Sequence, residues 1–157
     1  MRKRIIPSVQ KDTLPPGEDW LDLDRLAEVE ITSEDAAHPI EAALLPGQSG
    51  GWRAAGPGVQ TIRLLFAHPL RLRRICIEFV EPVTERTQEF VLRWSQDGVQ
   101  FFREIIRQQW NFNPQGATRE MEDYRVDLSM VTVLELSIIP DISGGNAHAS
   151  LAQLRLA

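Results

Sequence analysis

One cysteine, Cys76, stands among 157 residues. A lone thiol forms no intrachain disulfide and no cysteine-rich zinc site, and a reducing compartment suits it. Long apolar runs are also missing, so no segment reads as a membrane-spanning helix. The opening, MRKRIIPSVQKD, is basic, but Pro7, Ser8, Gln10 and Lys11 interrupt any apolar stretch behind it. It makes a poor secretory signal, and a cytoplasmic location is expected. Positive charge is scarce: 17 Lys and Arg against 22 Asp and Glu leave a net charge of −5. Non-specific nucleic-acid binding draws on a positive field, so no nucleic-acid partner is expected. Catalytic signatures are lacking too. His38, His68 and His148 form no His-x-x-x-His pair, there is no Gly-x-Ser-x-Gly elbow, and Gln48-Ser49-Gly50-Gly51 lacks the ending of a phosphate loop. Cys76 sits in an apolar stretch, where a thiol is ordinarily buried and inert. No enzymatic activity, cofactor or metal is expected.

What the sequence does have is a β pattern. Apolar residues make up 43 % and charged residues 25 %, the balance of a globular domain. Residues 1–17 read as an N-terminal tail closed by Pro15-Pro16-Gly17, and residues 18–157 as one domain. Side chains of a strand alternate between faces. Ile62, Leu64 and Phe66 therefore share one face, as do Phe90, Leu92 and Trp94, and Leu134, Leu136 and Ile138. His68-Pro69 is expected to end the first of these strands. In the next, Leu70 to Phe79, the apolar parity switches, which predicts a bulge near Arg73-Arg74. Asp97-Gly98 is a hairpin turn signal, with the return strand expected over Val99 to Arg107. Tyr124 to Leu128, Thr132 to Ile139 and Ser150 to Leu156 complete the set. Trp20 to Leu23 and Ala27 to Thr32 are candidate edge strands, and Ala36 to Leu45 a short helix. Pro46 to Gly58, with five Gly and two Pro, reads as a loop holding Trp52. Short strands, frequent turns and little helix predict an antiparallel β-sandwich or barrel rather than a parallel βαβ sheet.

Several groups invite a functional reading. Trp52 and Trp94 offer rings for stacking, but their positions favour the core. Trp110-Asn111-Phe112-Asn113-Pro114-Gln115-Gly116 is expected to be a loop, where two aromatics and several amides suit recognition of hydroxyls; the alternative is that the rings cap the barrel end. Asp141 to His148 is a second loop in which Asp141, Asn146 and His148 either contact a ligand or simply make turns. Arg63, Arg71, Arg73, Arg74, Arg93, Arg103 and Arg107 lie on strands, with Glu78, Glu85, Glu89 and Glu104 near enough to pair with them.

Four passages, taken in order, resemble the discoidin or coagulation factor V/VIII type C domain and the wider galactose-binding-like jelly rolls. They are Glu30-Ile31-Thr32-Ser33-Glu34 with His38 to Leu44; Gly51-Trp52-Arg53-Ala54; Phe90 to Gly98 followed by Phe101; and the closing runs from Tyr124, Leu134 and Leu151. The resemblance implies a jelly-roll sandwich of about eight core strands. It also implies a non-catalytic module that binds carbohydrate through loops at one end. Trp110, Asn111, Phe112, Arg53, Asn146 and His148 are the expected contacts. Relatives often hold a structural calcium near the short helical turn and the C-terminus. Here those places read Leu44-Leu45-Pro46-Gly47 and Gln153, too poor in anionic oxygen for calcium. The alternative is an intracellular protein-interaction or scaffold domain of the same fold, so the expected partner is a carbohydrate or a protein, with no membrane span.

Overall fold

The computed structural model describes residues 19–157; the expected tail over residues 1–17 lies outside them. Among the described residues there are eight strands and two single helical turns: α1 (Leu23–Leu26), β1 (Ala27–Ile31), α2 (Glu41–Leu44), β2 (Trp52–Pro57), β3 (Gln60–Val80), β4 (Arg86–Ser95), β5 (Arg103–Phe112), β6 (Arg119–Ile139), β7 (His148–Leu151) and β8 (Gln153–Leu156). All pairings are antiparallel. The main sheet runs β1-β3-β6-β4-β5, with β8 also on β3, and β2 pairs β7 separately.

Two strands of 21 residues, β3 and β6, build both layers of a β-sandwich. The first half of β3 pairs β1 and the second half of β6; its second half pairs β8 and the first half of β6. The bend between halves lies where the β3–β6 register slips, between Leu65 and Leu70. His68-Pro69 therefore does not end the strand. Proline lacks an N–H, and it is tolerated where the ladder is already interrupted. The expected bulge at Arg73-Arg74 is present: both backbone amides donate to the one carbonyl of Ala157, at 2.7 and 2.9 Å.

Alternation fills the space between the layers. Ile62, Leu64 and Phe66 meet Phe90, Leu92 and Trp94, Leu134, Leu136 and Ile138, and Ile75, Ile77 and Phe79, all buried. Phe79 and Phe90, on strands that do not pair, bring their ring centroids to 5.0 Å across the interior. Burying each such side chain contributes about 1.5–3 kcal/mol. Trp52 and Trp94 join this core.

The N-terminal third departs from the sequence reading. Trp20 to Leu23 is no strand; Leu21 N–H donates to Leu156 O, and α1 follows at once. The helix expected over Ala36 to Leu45 shrinks to α2, because Asp35 and His38 first form a bridge and turn. Trp52 lies on β2, not in a loop. Ser150 to Leu156 divides at Ala152 into β7 and β8, which serve different sheets.

One polar group crosses the core. Gln88 Nε2 on β4 donates to Glu120 Oε1 on β6 at 3.4 Å, and both residues are fully buried. Burial, then the neighbouring Glu122, push the Glu120 carboxyl from 4.5 up to about 8. A carboxyl raised by folding stabilises the native state fully below its unfolded value, and that contribution is lost as pH rises through the folded value. Melting temperature should therefore fall between about pH 4.5 and 8 on account of Glu120, and Glu120→Gln should flatten that fall. Parallel calorimetric pH profiles of the two proteins would expose an error here.

Candidate functional site

The end of the sandwich where β3 passes into β4 and β6 into β7 is built from two loops and one strand. The first loop, Glu81 to Glu85, is organised by Glu81. Its Oε2 accepts the amides of Val83 and Thr84 at 3.2 and 3.3 Å, and its Oε1 accepts Arg86 Nε at 2.8 Å. Burial raises the Glu81 carboxyl, but the guanidinium and the two amides outweigh it, and the net shift is downward.

The second loop, Asp141 to Ala147, is shaped by turn chemistry. Asp141 Oδ1 accepts the amide and hydroxyl of Ser143 at 3.1 and 2.7 Å, and these bonds, the hydroxyl first, hold the carboxyl below its usual range. Gly144 and Gly145 follow with φ of 88° and 90°, a conformation in which side chains are strained.

Arg86 ties the loops together. It is buried, and its Nη1 donates to Pro140 O at 2.8 Å and Gln88 Oε1 at 3.2 Å while its Nε holds Glu81. The ring of Phe112 lies 4.8 Å beneath it.

Between the loops opens a cleft of about 500 Å³, walled by Arg53 on β2, Glu81 to Thr84, Asp141 and Gly144 to His148. A second hollow of about 270 Å³ adjoins it, sharing Arg53, Glu81 and Pro82 and reaching His38 and Trp52. Arg53 is exposed and makes no ion pair among the described residues. Backbone bonds fix it: its N–H donates to His38 O at 3.2 Å, and its carbonyl accepts Asp35 N–H at 2.8 Å. His148 Nδ1 lies 3.1 Å from Ala54 O. A carbonyl only accepts, so Nδ1 carries the proton and Nε2 of the neutral ring is an acceptor. Asn146 is exposed beside it. The cleft thus offers a guanidinium, an amide and an imidazole acceptor, with Pro82 and Val83 as apolar surface. Among the described residues no aromatic ring lines it.

Of the six contacts expected from sequence, the structure brings three together, Arg53, Asn146 and His148. The other three are elsewhere and need correction. Trp110, Asn111 and Phe112 are not in a loop but on β5, which continues five residues past Arg107 to Phe112. Ile106, Trp110 and Phe112 keep the alternation going on one face, with the polar Gln108 among them. Phe112 is fully buried beneath Arg86 and presents no surface. Trp110 is half-buried against the core with its Nε1 enclosed, and the exposed Asn111 accepts Thr87 Oγ1 at 3.1 Å. The rings close the sandwich, the alternative weighed above. Glu81, Pro82, Val83 and Arg86 were not singled out, because a Glu-Pro turn and a strand-end Arg carry no local signature.

Five of the seven arginines singled out on strands are held in ion pairs. Arg63 and Arg93 share Glu135, Arg71 meets Asp127, Arg74 meets Asp123, and Arg107 meets Glu104 and Glu89. Cys76 is buried, with its thiol pushed up to about 12, by burial first. Among the described residues no group of three or more His, Cys, Asp and Glu suits a metal, and no helix is long and apolar enough to cross a membrane. At the place where the resemblance implied a calcium, between the end of α2 and the C-terminal strand, Arg155 intervenes: Nη1 donates to Ala43 O and Leu154 O at 2.9 and 3.0 Å, and Nη2 to Leu45 O at 3.2 Å. A guanidinium on these carbonyls, with a neutral Gln153 nearby, does not fit a calcium site.

No protein-family model matches the sequence, and no curated protein matches it. Solved structures do match over most of the chain. The family 32 carbohydrate-binding module of AlyQ, in complex with 4,5-unsaturated mannuronic acid, aligns with TM-score 0.61 and 16 % identity over 84 % of this chain and 95 % of that one. The family 32 module of C. perfringens NanJ, in complex with galactose, gives 0.60 and 15 % over 83 % and 92 %. An F5/8 type C domain from Bacteroides fragilis gives 0.60 and 14 % over 90 % and 97 %. By fold the chain is an antiparallel β-sandwich of the kind seen in family 32 carbohydrate-binding modules and F5/8 type C domains.

Proposed function

We propose that this domain is a non-catalytic glycan-binding module that takes a sugar into the cleft between Glu81–Thr84 and Asp141–His148. One observation carries the reading: Arg53, an arginine with no ion pair among the described residues, faces the same open cleft as Asn146 and His148. Sugar hydroxyls both donate and accept. A five-donor guanidinium, an amide with both functions and an imidazole acceptor complement them. The sugar-bound modules of like fold support the choice of ligand class. With no aromatic platform in the cleft, apolar contact falls to Pro82 and Val83, and modest affinity is expected.

A thermal-shift screen of mono- and oligosaccharides, galactose and uronates included, finds the ligand, since binding to the native state alone raises the melting temperature. Calorimetric titration then compares variants. Arg53→Ala should weaken binding at least tenfold, about 1.4 kcal/mol, with little change in stability because the side chain is exposed. Unchanged affinity in Arg53→Ala, Asn146→Ala and His148→Ala would remove the sugar from this cleft.

The second reading is a protein-interaction domain, favoured by the missing aromatic ring; the cytoplasmic location expected from the N-terminus belongs with it. No thermal shift from any sugar at high concentration would select it.

A further inference from the structure

We propose that the β4–β5 hairpin carries a second pyranose-binding pocket, at the end of the sandwich opposite the cleft. It adds a site to the glycan reading and rests on that reading for its ligand class. β4 begins at Arg86 beside the cleft and ends at Ser95. Its ten residues, at about 3.3 Å each, separate the two ends by roughly 30 Å. Beyond Ser95 lies a pocket of about 350 Å³, lined by Trp94, Gln96, Asp97, Phe101, Phe102 and Arg103.

Three features of this pocket point to a ligand. First, Phe101 is 71 % exposed. It does not stand alone: Val99 in the same loop is exposed as well and Phe102 lines the pocket beside it, and exposed apolar groups gathered in one place are informative where a single one is not; the ring face is the kind of surface on which a sugar's C–H groups pack. Second, the polar groups around it are not consumed by one another. Arg103 lies over the Trp94 ring, 5.8 Å from its centroid, and makes no ion pair among the described residues. The Asp97 carboxylate has no side-chain partner among them either, and Gln96 keeps its Oε1 as an acceptor while its Nε2 binds Ser129 O at 2.8 Å. Third, the hairpin is tied to Thr132 on β6. Gly98 N–H donates to Thr132 Oγ1 at 3.1 Å, and that hydroxyl donates to Ser95 O at 3.1 Å. A preorganised pocket spends less free energy on ordering when a ligand arrives.

The chemistry selects the ligand class. The lining holds one charge of each sign, Asp97 and Arg103, and so has no net charge with which to favour an anion or a cation. A neutral ring with adjacent hydroxyls gives donors to Asp97 and Gln96, an acceptor to Arg103 and an apolar face to Phe101. The volume is within the range of small-ligand pockets. Two sites at opposite ends would let one domain bridge two glycan chains, with avidity beyond either site alone.

The test is a two-dimensional NMR titration of the 15N-labelled protein with galactose, N-acetylgalactosamine, glucose and mannose in turn, on wild type, Arg53→Ala and Phe101→Ala. One of these sugars should shift amides of residues 96–103 independently of those at Arg53, Asn146 and His148. Phe101→Ala should weaken the hairpin response at least tenfold and leave the cleft response intact; its backbone spectrum reports that the fold is retained. Arg53→Ala should do the reverse. Shifts confined to the cleft overturn the second pocket and leave the cleft reading standing. Shifts confined to the hairpin overturn the cleft reading instead, and shifts at neither overturn both. A hairpin response unchanged in Phe101→Ala also sinks the pocket as drawn here.

Discussion

Arg86→Ala should lower stability by about 3–5 kcal/mol, the usual loss when one partner of a buried ion pair is removed. For a domain of this size that is roughly 10 °C of melting temperature. Arg86 is buried, and its removal strands three acceptors at once: Glu81 Oε1, Gln88 Oε1 and Pro140 O. Glu81 is the costly one, because a largely buried carboxylate would lose its counter-charge. The origin of the loss can be tested. Arg86→Met restores apolar volume over Phe112 but leaves Glu81 unpaired, so it should stay well below wild type. Adding Glu81→Gln to Arg86→Met should recover part of the loss, giving a coupling energy above 1 kcal/mol in a double-mutant cycle. Function should suffer as well, since Arg86 joins the Glu81 loop to the Pro140 carbonyl at the start of the other loop. A stability loss below about 1 kcal/mol in urea unfolding of Arg86→Ala would contradict the ion-pair account.

Arg155→Ala is the second large effect. Three carbonyls, those of Ala43, Leu45 and Leu154, accept from one guanidinium that folds the C-terminal strand onto α2. Hydrogen bonds to charged groups contribute about 1.5–3 kcal/mol each, less where water shares the acceptors; a total near 2–3 kcal/mol is expected for this half-buried fork. Arg155→Lys should recover only part, because a single ammonium does not reproduce the planar fork. Wild-type melting temperature should be the same in calcium and in chelator, since the protein supplies its own cation at these carbonyls. A rise of several degrees with calcium in the wild type would show that a metal competes for them.

Much of the architecture was legible in the sequence, and specific residues explain why. The period-2 runs at Ile62 to Phe66, Phe90 to Trp94 and Leu134 to Ile138 record burial on one face. Asp97-Gly98 records a turn that few other pairs make easily, although the return strand starts at Arg103 and not at Val99. The parity switch before Ile75 records a bulge. These are local consequences of backbone geometry, and one chain suffices to read them. The errors share a cause as well. His68-Pro69 reads as a stop, yet β3 passes through it because the β3–β6 register is already interrupted between Leu65 and Leu70. The return strand reads as ending at Arg107, yet β5 continues because β4 pairs with it as far as Arg86, opposite Phe112.

The candidate site divides in the same way. Asp141 to His148 looked like a loop because Gly144-Gly145 and the Asp-Ser pair encode one, and Arg53 stood next to a recognisable Trp52. That these residues meet, and that Trp110 and Phe112 do not join them, depends on contacts between residues far apart in the chain. The sequence by itself determined the strand pattern, the sandwich class, and the want of disulfides or familiar catalytic motifs, since each follows from residue type and near-neighbour spacing. The tertiary structure alone decided which rings are buried, which arginines are paired, and that Arg86 and Arg155 fasten loops from within. Burial and charge pairing are properties of residues brought together in space, and spacing along the chain does not carry them.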